Sequence, residues 1–493
     1  MTSRTMESIL TLDIGTTNIK AAVVSLNGKT LDLIKAKSPI LASDAGSFEH
    51  EPRQLLNEVI NLIKALAAKH RSAIKAIALS SYISNLLLVD DRGNELTNII
   101  TWLDRRPVKV LDNLSKLIDP HELYRRTGCP PLYLYVPPKI YWLSTSSNLV
   151  SKARYLLDAK SYILFKLMNE PYIDLSTASA SQLLNIHSLK WDDLVLSSLG
   201  IDEGKLPRLV EADEIIGYIP RAKALELGLN DEVPIVPCLY DGASFIIGLG
   251  GLEVGVGSSH IGTSAMLRVV SDSPLIDLNT MELHTYYLCR GLWIPGGAIG
   301  NAGLTLDWLS SLVGREVNIL LNNMAPLSSS LPLTIPILTP ERFPKLTRCS
   351  GILSYGMKLE DRLNVLTTSL VLGFLFMLRR FSDLVESHGI KLREIRVGGG
   401  VAESDNVLYL MSNVLGTKVL RPKNLLEGGL LGNALIAFKA LGYFKSLNDA
   451  FNSLGVEFDV FQPKDELINI SKELYIKFKS LLKIYTQLCS ELT

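Results

Sequence analysis

The sequence predicts an α/β protein of two lobes with a cleft between them. The chain opens with strands and tight turns and then alternates helix with strand, the pattern of a layered α/β domain. A strand, Gly-Thr, strand unit occurs twice, at Gly15-Thr16-Thr17 and at Gly262-Thr263-Ser264. That echo suggests a duplicated lobe with one hairpin per copy. A chain of 493 residues, 47% hydrophobic and 20% charged, has apolar surface for two to three domains and is not a disordered polymer.

The elements follow in order. Residues 9–13 read as a strand, residues 21–26 as a second and residues 30–37 as a third. Asn27-Gly28 joins the last two, because both residues tolerate positive φ in a tight hairpin. Pro52 marks the first turn of a helix, where its missing N–H costs nothing. Leu55, Leu56, Val59, Ile63 and Leu66 form that helix's apolar face. Residues 74–79 and 86–89 read as strands, residues 151–204 as helix and loop. Asp231 to Pro234 reads as a boundary, with a second α/β region from Ile235. Of 35 glycines, 12 lie between Gly242 and Gly303, so backbone there approaches something closely. Residues 370–385, 405–414 and 429–441 read as helices around a strand at 394–397 and the loop Gly398-Gly399-Gly400. An amphipathic tail helix begins after Pro463.

Composition narrows the function. Fifty Lys plus Arg balance fifty Asp plus Glu, so no global field draws nucleic acid or an acidic membrane surface. The prolines and serines of residues 317–340 indicate a loop, and the apolar run 363–378 is short for a membrane span and reads as a buried helix. The first eight residues carry Arg4 and Glu7 and no signal-peptide core. Five cysteines (Cys129, Cys238, Cys289, Cys349 and Cys489) form no CxxC pair. We therefore expect no disulfide framework, no structural zinc and a cytoplasmic protein.

The Gly-Thr turns offer outward N–H groups and hydroxyls, a setting that suits phosphate. Asp13 ends the first strand and is placed to hold magnesium; Lys20, on the next strand, is placed to neutralise phosphate charge. No GxxxxGK[ST], no HExxH and no well-spaced GxGxxG occurs. Asp13 also suits a hairpin cap and Asp241 a helix cap.

Taken in order, the motifs resemble the FGGY carbohydrate kinases, a branch of the actin, hexokinase and Hsp70-type ATPases. Leu12-Asp13-Ile14-Gly15-Thr16-Thr17-Asn18-Ile19-Lys20 is similar to the family's first phosphate hairpin, and Ile261-Gly262-Thr263-Ser264 to its second. Phe48-Glu49-His50-Glu51-Pro52, Trp102-Leu103-Asp104-Arg105-Arg106 and Asp174-Leu175-Ser176-Thr177-Ala178-Ser179 match further family strings. Tyr240-Asp241-Gly242 falls where the family keeps its catalytic aspartate. Glu341-Arg342-Phe343-Pro344 resembles a "GERxP" string with Pro340 in the glycine's place, and Gly398 to Ser404 resembles the adenosine loop.

The resemblance implies two actin-like, ribonuclease H-like ATPase lobes: residues 1–234 for sugar and the first hairpin, 235–450 for nucleotide and the catalytic aspartate, and 451–493 as a helical tail packing on the lobes. It implies transfer of the γ-phosphoryl of ATP, with Mg2+, to a sugar or sugar-acid hydroxyl. Asp241 would be the base and Asp13 the metal residue. Thr16, Thr17, Lys20, Gly262 and Thr263 would surround the phosphates; Gly303, Gly399, Gly400 and Ser404 would line the adenosine site. Ser84, Asn85, Trp102 and Asp104 would meet the sugar. Ile83-Ser84 replaces the Met-His of xylulokinase-like and gluconokinase-like members. Elsewhere the likeness leans to the gluconate branch, with Arg105, Arg106 and Lys139 as candidate cations for a sugar acid. A pentulose or glycerol kinase, or a non-kinase ATPase of the superfamily, is the alternative. The expected partner is a small molecule, with no nucleic acid or membrane, and a homodimer is allowed.

Overall fold

Strand β1 (Ser8–Ile14) alternates its faces: Ile9 and Thr11 point one way, Leu10, Leu12 and Ile14 the other, and all are fully buried. A strand buried on both sides belongs at the centre of a layered sheet. This computed structural model describes residues 7–43, 46–343, 349–423 and 427–492. Strand β1 pairs antiparallel with β2 (Asn18–Ser25), and β2 with β3 (Thr30–Lys37). The opening meander thus forms as its sequence predicts, with Gly28 at φ +78° in the turn. Helix α1 (Pro52–His70) starts at the expected proline, capped by the Glu51 carboxylate, and packs on the Leu10 face. Strand β4 (Ile74–Ser81) lies parallel to β1.

The chain then builds a largely helical insertion with its own core, including Leu86, Ile100, Ile140 and Val195. Helix α2 (Ala159–Met168) of this region returns toward the sheet, where β5 (Gly217–Ile219) and β6 (Val233–Val236) complete the order β5-β6-β4-β1-β2-β3. Ile235 pairs with Ile77 of β4. The first lobe therefore continues past residue 234, where the sequence reading closed it; the stretch from Asp231 to Pro234 runs into β6 within the lobe.

Helix α3 (Asp241–Gly248) leads to the second sheet. Its strands are β7 (Val256–Ile261), β8 (Ala265–Val269), β9 (His284–Tyr287), β10 (Trp293–Ile299), β11 (Glu394–Gly398), β12 (Lys418–Pro422) and β13 (Phe458–Phe461). Their order is β9-β10-β8-β7-β11-β12-β13. The run β10-β8-β7-β11-β12 repeats β3-β2-β1-β4-β6, three antiparallel strands followed by two parallel ones. The duplication suggested by two Gly-Thr turns is thus a repeated sheet topology.

Helix α4 (Gly303–Val313) follows β10, and helix α5 (Leu363–Ser387) packs on this sheet. By length and composition α5 alone among the described helices is apolar enough to cross a membrane, and 78% of its most apolar window is buried inside the lobe. Residues 317–340 are not all loop: they include a short helix, Val317–Asn322, and a strand, Leu333–Ile337, in which Pro336 pairs with Ile352. Helix α6 (Asp405–Leu415), helix α7 (Gly428–Ala440) and helix α8 (Asp465–Leu492) complete the chain. The tail is not a separate unit. Strand β13 is an edge of the second sheet, and α8 packs on α5 and α6.

Against the expectation from spacing, Cys349 and Cys489 form a disulfide that ties α8 to the segment before residue 351. A sequence separation of 140 residues leaves no local motif to reveal it. Cysteine scarcity therefore gives no support to a reducing compartment. Cys129, Cys238 and Cys289 are free and buried.

Helices α3 and α7 cross where the lobes meet. A Cβ at Gly248 would lie 1.9 Å from the Gly428 carbonyl oxygen, and one at Gly432 1.9 Å from that of Ser244. Helix α7 also packs on the first sheet, whose face here carries the small Ala22, Ala76 and Ala78. Helix-interior glycine costs about 1 kcal/mol relative to alanine; here it permits backbone contact between the two helices. Gly432→Ala should lower stability by about 2 kcal/mol or more through overpacking, read as a fall in thermal midpoint. A midpoint equal to wild type would show that the crossing has slack.

Candidate active site

Asp13 stands next to last on β1, opposite Lys20 on β2 and Ser80 on β4. Ser80 Oγ donates to its carboxylate at 3.0 Å. The amide of Asn433, from α7, donates in turn to Ser80 Oγ and to the Leu12 carbonyl, each at 2.9 Å. A Cβ at Gly429 would lie 3.8 Å from Asp13 Oδ2, so the first turn of α7 abuts this carboxylate. Asp241 opens α3 and accepts the Gly242 N–H at 2.7 Å.

The Asp13 charge bears on Asp241. Burial, reinforced by the Asp13 charge, pushes Asp241 up to about 7. Burial also raises Asp13, with Ser80 and Lys20 opposing it. Like charges held close at a shielded site each prefer a proton or a cation. Among the described residues no three His, Cys, Asp or Glu side chains form a metal cluster.

The hairpin tips are built from backbone. Gly15 N–H bonds to the Asn18 carbonyl at 3.0 Å, a turn tight enough that a Cβ on Gly15 would come within 2.7 Å of that oxygen. Thr16 is half-buried: Trp102 Nε1 donates to its hydroxyl at 3.0 Å, and His50 holds its carbonyl. Burial drops His50 to about 4, so it is neutral. Thr17 is exposed. In the second tip Gly262 N–H bonds to Ser264, and Thr263 is exposed. The first turn of α4 braces it, with Gly303 donating to the Gly262 carbonyl at 2.9 Å. Gly399, at φ +102°, lies against the end of β7; a Cβ there would sit 2.6 Å from the Ile261 oxygen. A Cβ on Gly400 would meet nothing within 4 Å, so this bend faces open space.

Other expected site residues are engaged elsewhere. Lys20 pairs with Glu427, just before α7, at 2.7 Å, and Lys35 holds the other oxygen of Glu427 at 2.8 Å. Its ammonium thus fastens the lobes together. Ser404 caps α6 through the Val407 N–H. Asp104 is fully buried and bonded to the Phe48 N–H and to Arg106, bonds that shape its loop. Ser84 is buried at φ +58° with its hydroxyl on the Ala180 carbonyl, and Asn85 caps α2 through the Ala159 N–H. Both side chains turn into the lobe. Arg106 is bound by Asp104 and Glu49. Lys139 is fully buried, lowered to about 7 by that burial, with its ammonium on the carbonyls of Ser84, Leu134 and Tyr135. Both cations are thus engaged within the first lobe. Trp102 is half-buried, and Arg342 of the second lobe lies over its ring, 4.8 Å from the centroid. Pro344 lies outside the described residues.

Sequence reasoning missed Ser80, Glu427, Gly429, Asn433 and Arg342 as parts of this site. Two of them carried a signal: Arg342 stands in the "GERxP"-like string, and Gly428-Gly429 ahead of an apolar helix is an open helix start suited to anions.

Repeated lobes, a backbone tip from each and a buried Asp241 within the field of Asp13 are the features of a two-lobed, ATP-dependent phosphotransferase. Comparison with known proteins agrees. Residues 8–248 match the N-terminal domain, and residues 257–441 the C-terminal domain, of the FGGY family of carbohydrate kinases. The chain belongs to that family, whose members transfer a phosphoryl group to an alcohol acceptor. It is 27% identical to the gluconokinase of Bacillus subtilis (strain 168) over 91% of this chain and 90% of the relative. It is 24% identical to that organism's xylulose kinase, over 97% of each. The fold matches the gluconate kinase from Lactobacillus acidophilus with a TM-score of 0.93 at 23% identity, covering 99% of this chain and 100% of that one. A Plasmodium falciparum glycerol kinase with ADP matches at a TM-score of 0.89 and 21% identity, over 97% and 98% of the two chains.

A carboxyl raised by folding destabilises the native state progressively as pH climbs from its unfolded value to its folded one, here from 3.8 to about 7. Asp241→Asn removes that charge and keeps an acceptor for the Gly242 N–H. Its ligand-free thermal midpoint should exceed wild type at pH 8, with the gap narrowing toward pH 5. An equal midpoint at both would contradict the repulsion.

Proposed function

We propose that the protein transfers the γ-phosphoryl group of ATP to a hydroxyl of a sugar acid of the gluconate type, with Asp241 as general base. One observation carries this: Asp241 lies at the start of a helix in the cleft, beside Asp13, with its proton affinity raised to about 7. A carboxylate tuned near neutrality accepts a proton more readily than one at its ordinary value. As the acceptor oxygen attacks the γ-phosphorus, its proton passes to Asp241 and ADP leaves.

Magnesium fits the residues present. It favours one or two carboxylates with phosphate oxygens and water over an all-protein cage, and Asp13 is a carboxylate raised by burial at the lobe junction. When bound, the ion neutralises phosphate charge. Thr16, Thr17, Gly262 and Thr263 would flank the phosphates, and Gly303, Gly399 and Gly400 the adenosine. With Lys20 held by Glu427, phosphate charge falls to the N–H groups of the tips and of the α7 start.

The sugar-acid reading draws support from the gluconokinase relatives and from Arg342. This arginine makes no ion pair among the described residues and brings a cation over Trp102. A guanidinium binds a carboxylate through two parallel hydrogen bonds. The neutral pentulose alternative has no use for that cation.

Two measurements test the reading. Because only the ionised base works, kcat/KM should rise with pH through about 7, while Asp241→Asn loses roughly 10²–10⁴-fold in kcat and retains ATP binding by calorimetry. Turnover by Asp241→Asn within tenfold of wild type would remove the base assignment. An ADP-release screen over gluconate, xylulose, ribulose, glycerol and erythritol should favour gluconate, and Arg342→Met should raise its KM about tenfold or more without changing that of xylulose. Preference for a pentulose overturns the sugar-acid assignment; ATP hydrolysis indifferent to every sugar overturns the kinase reading for this acceptor set.

A further inference from the structure

We propose that Lys160, which the mechanism above does not use, is a positioning residue for Asp241. Lys160 lies on α2, and it and Asp174 are fully buried. Its ammonium reaches the Asp174 carboxylate at 2.5 Å, the Leu239 carbonyl at 3.1 Å and the Cys238 carbonyl at 3.4 Å. Three donors thus meet three acceptors. Only one of those acceptors balances the charge. The other two belong to the turn immediately ahead of Tyr240-Asp241.

That turn needs holding. Cys238 sits at φ +50°, in the left-handed region that a side chain other than glycine seldom adopts. Such a conformation persists only where its surroundings over-determine it. Lys160 grips it on one side; on the other, the Cys238 thiol reaches the Asn433 carbonyl of α7 at 3.6 Å. Asn433 is also the residue that supports Ser80 and, through it, Asp13. Asp174 is fixed in its own right, since it caps the helix Leu175–Ser179 through the Thr177 N–H at 2.9 Å. A rigid path therefore runs from Asp174 through Lys160 and the strained turn to the start of α3. The Lys160 charge also works against burial and Asp13 at the Asp241 carboxyl.

This proposal rests on Asp241 as base, and the experiment separates the two claims. Lys160→Met alone leaves the Asp174 charge buried without a counter-charge, so it is paired with Lys160→Met/Asp174→Asn, in which the asparagine oxygen still caps its helix. Steady-state kinetics with ATP, magnesium and gluconate are measured for both variants, with Asp241→Asn in parallel and thermal midpoints recorded. The double variant should melt within a few degrees of wild type. Its KM for ATP and for gluconate should stay within about threefold, while kcat falls roughly 10–100-fold, the cost of a base displaced by about an ångström. Wild-type kcat in the double variant, or KM values that rise as steeply as kcat falls, would reduce Lys160 to an ordinary core ion pair and overturn the proposal. An inactive Asp241→Asn beside a fully active double variant overturns the Lys160 claim alone. An active Asp241→Asn overturns the base assignment and the Lys160 claim with it.

Discussion

Two carboxylates that repel one another have to be held in one cleft. Asp13 belongs to the first lobe's sheet and Asp241 to the helix that leads out of that lobe; burial raises both, and the Asp13 charge raises Asp241 further. Neither would stay there in a loosely packed protein, because a flexible chain would swing one out to water. Much of the polar architecture beneath them resists that escape. Ser80 and Asn433 back Asp13, and Asn433 reaches across from α7. Glycine contacts seat α7 against α3, so the support of one carboxylate is locked to the helix that starts with the other.

Buried lysines recur in this design. Lys139 spends its ammonium on three carbonyls, one of them from Ser84 at φ +58°. Lys160 does the same for Cys238. Both stabilise left-handed turns next to the cleft, where a helix or strand would aim the chain elsewhere. An ammonium suits the task because it offers three donors from one point. A buried charge is a poor source of stability in general, so its retention at two such turns is easier to understand as control over geometry.

The fold was legible wherever a short-range rule governs it. Asn27-Gly28 made its hairpin, Pro52 opened its helix behind the Glu51 cap, and the apolar run at 363–378 became part of a buried helix. The two Gly-Thr turns were legible as hairpins for the same reason. Less visible was the membership of Val233–Val236 in the first sheet, since parallel pairing with β4 spans a whole helical insertion. The residues expected to meet the sugar share one feature. Ser84, Asn85 and Asp104 read as polar and available, yet each satisfies a nearby backbone group or arginine. A polar side chain in sequence does not announce whether its partner is a ligand or its own chain.

The order of motifs was enough by itself to determine the class of this protein and to single out its paired Gly-Thr turns and the two aspartates, because each depends on residue identity within a few positions. Tertiary structure decided what surrounds them. It bound Lys20 to Glu427, brought Arg342 over Trp102, joined Cys349 to Cys489 and set Lys160 beneath the turn that carries Asp241. These pairings join residues about 80 to 400 positions apart. Only the packing of two lobes brings such groups into contact, and no local propensity encodes the distance between them.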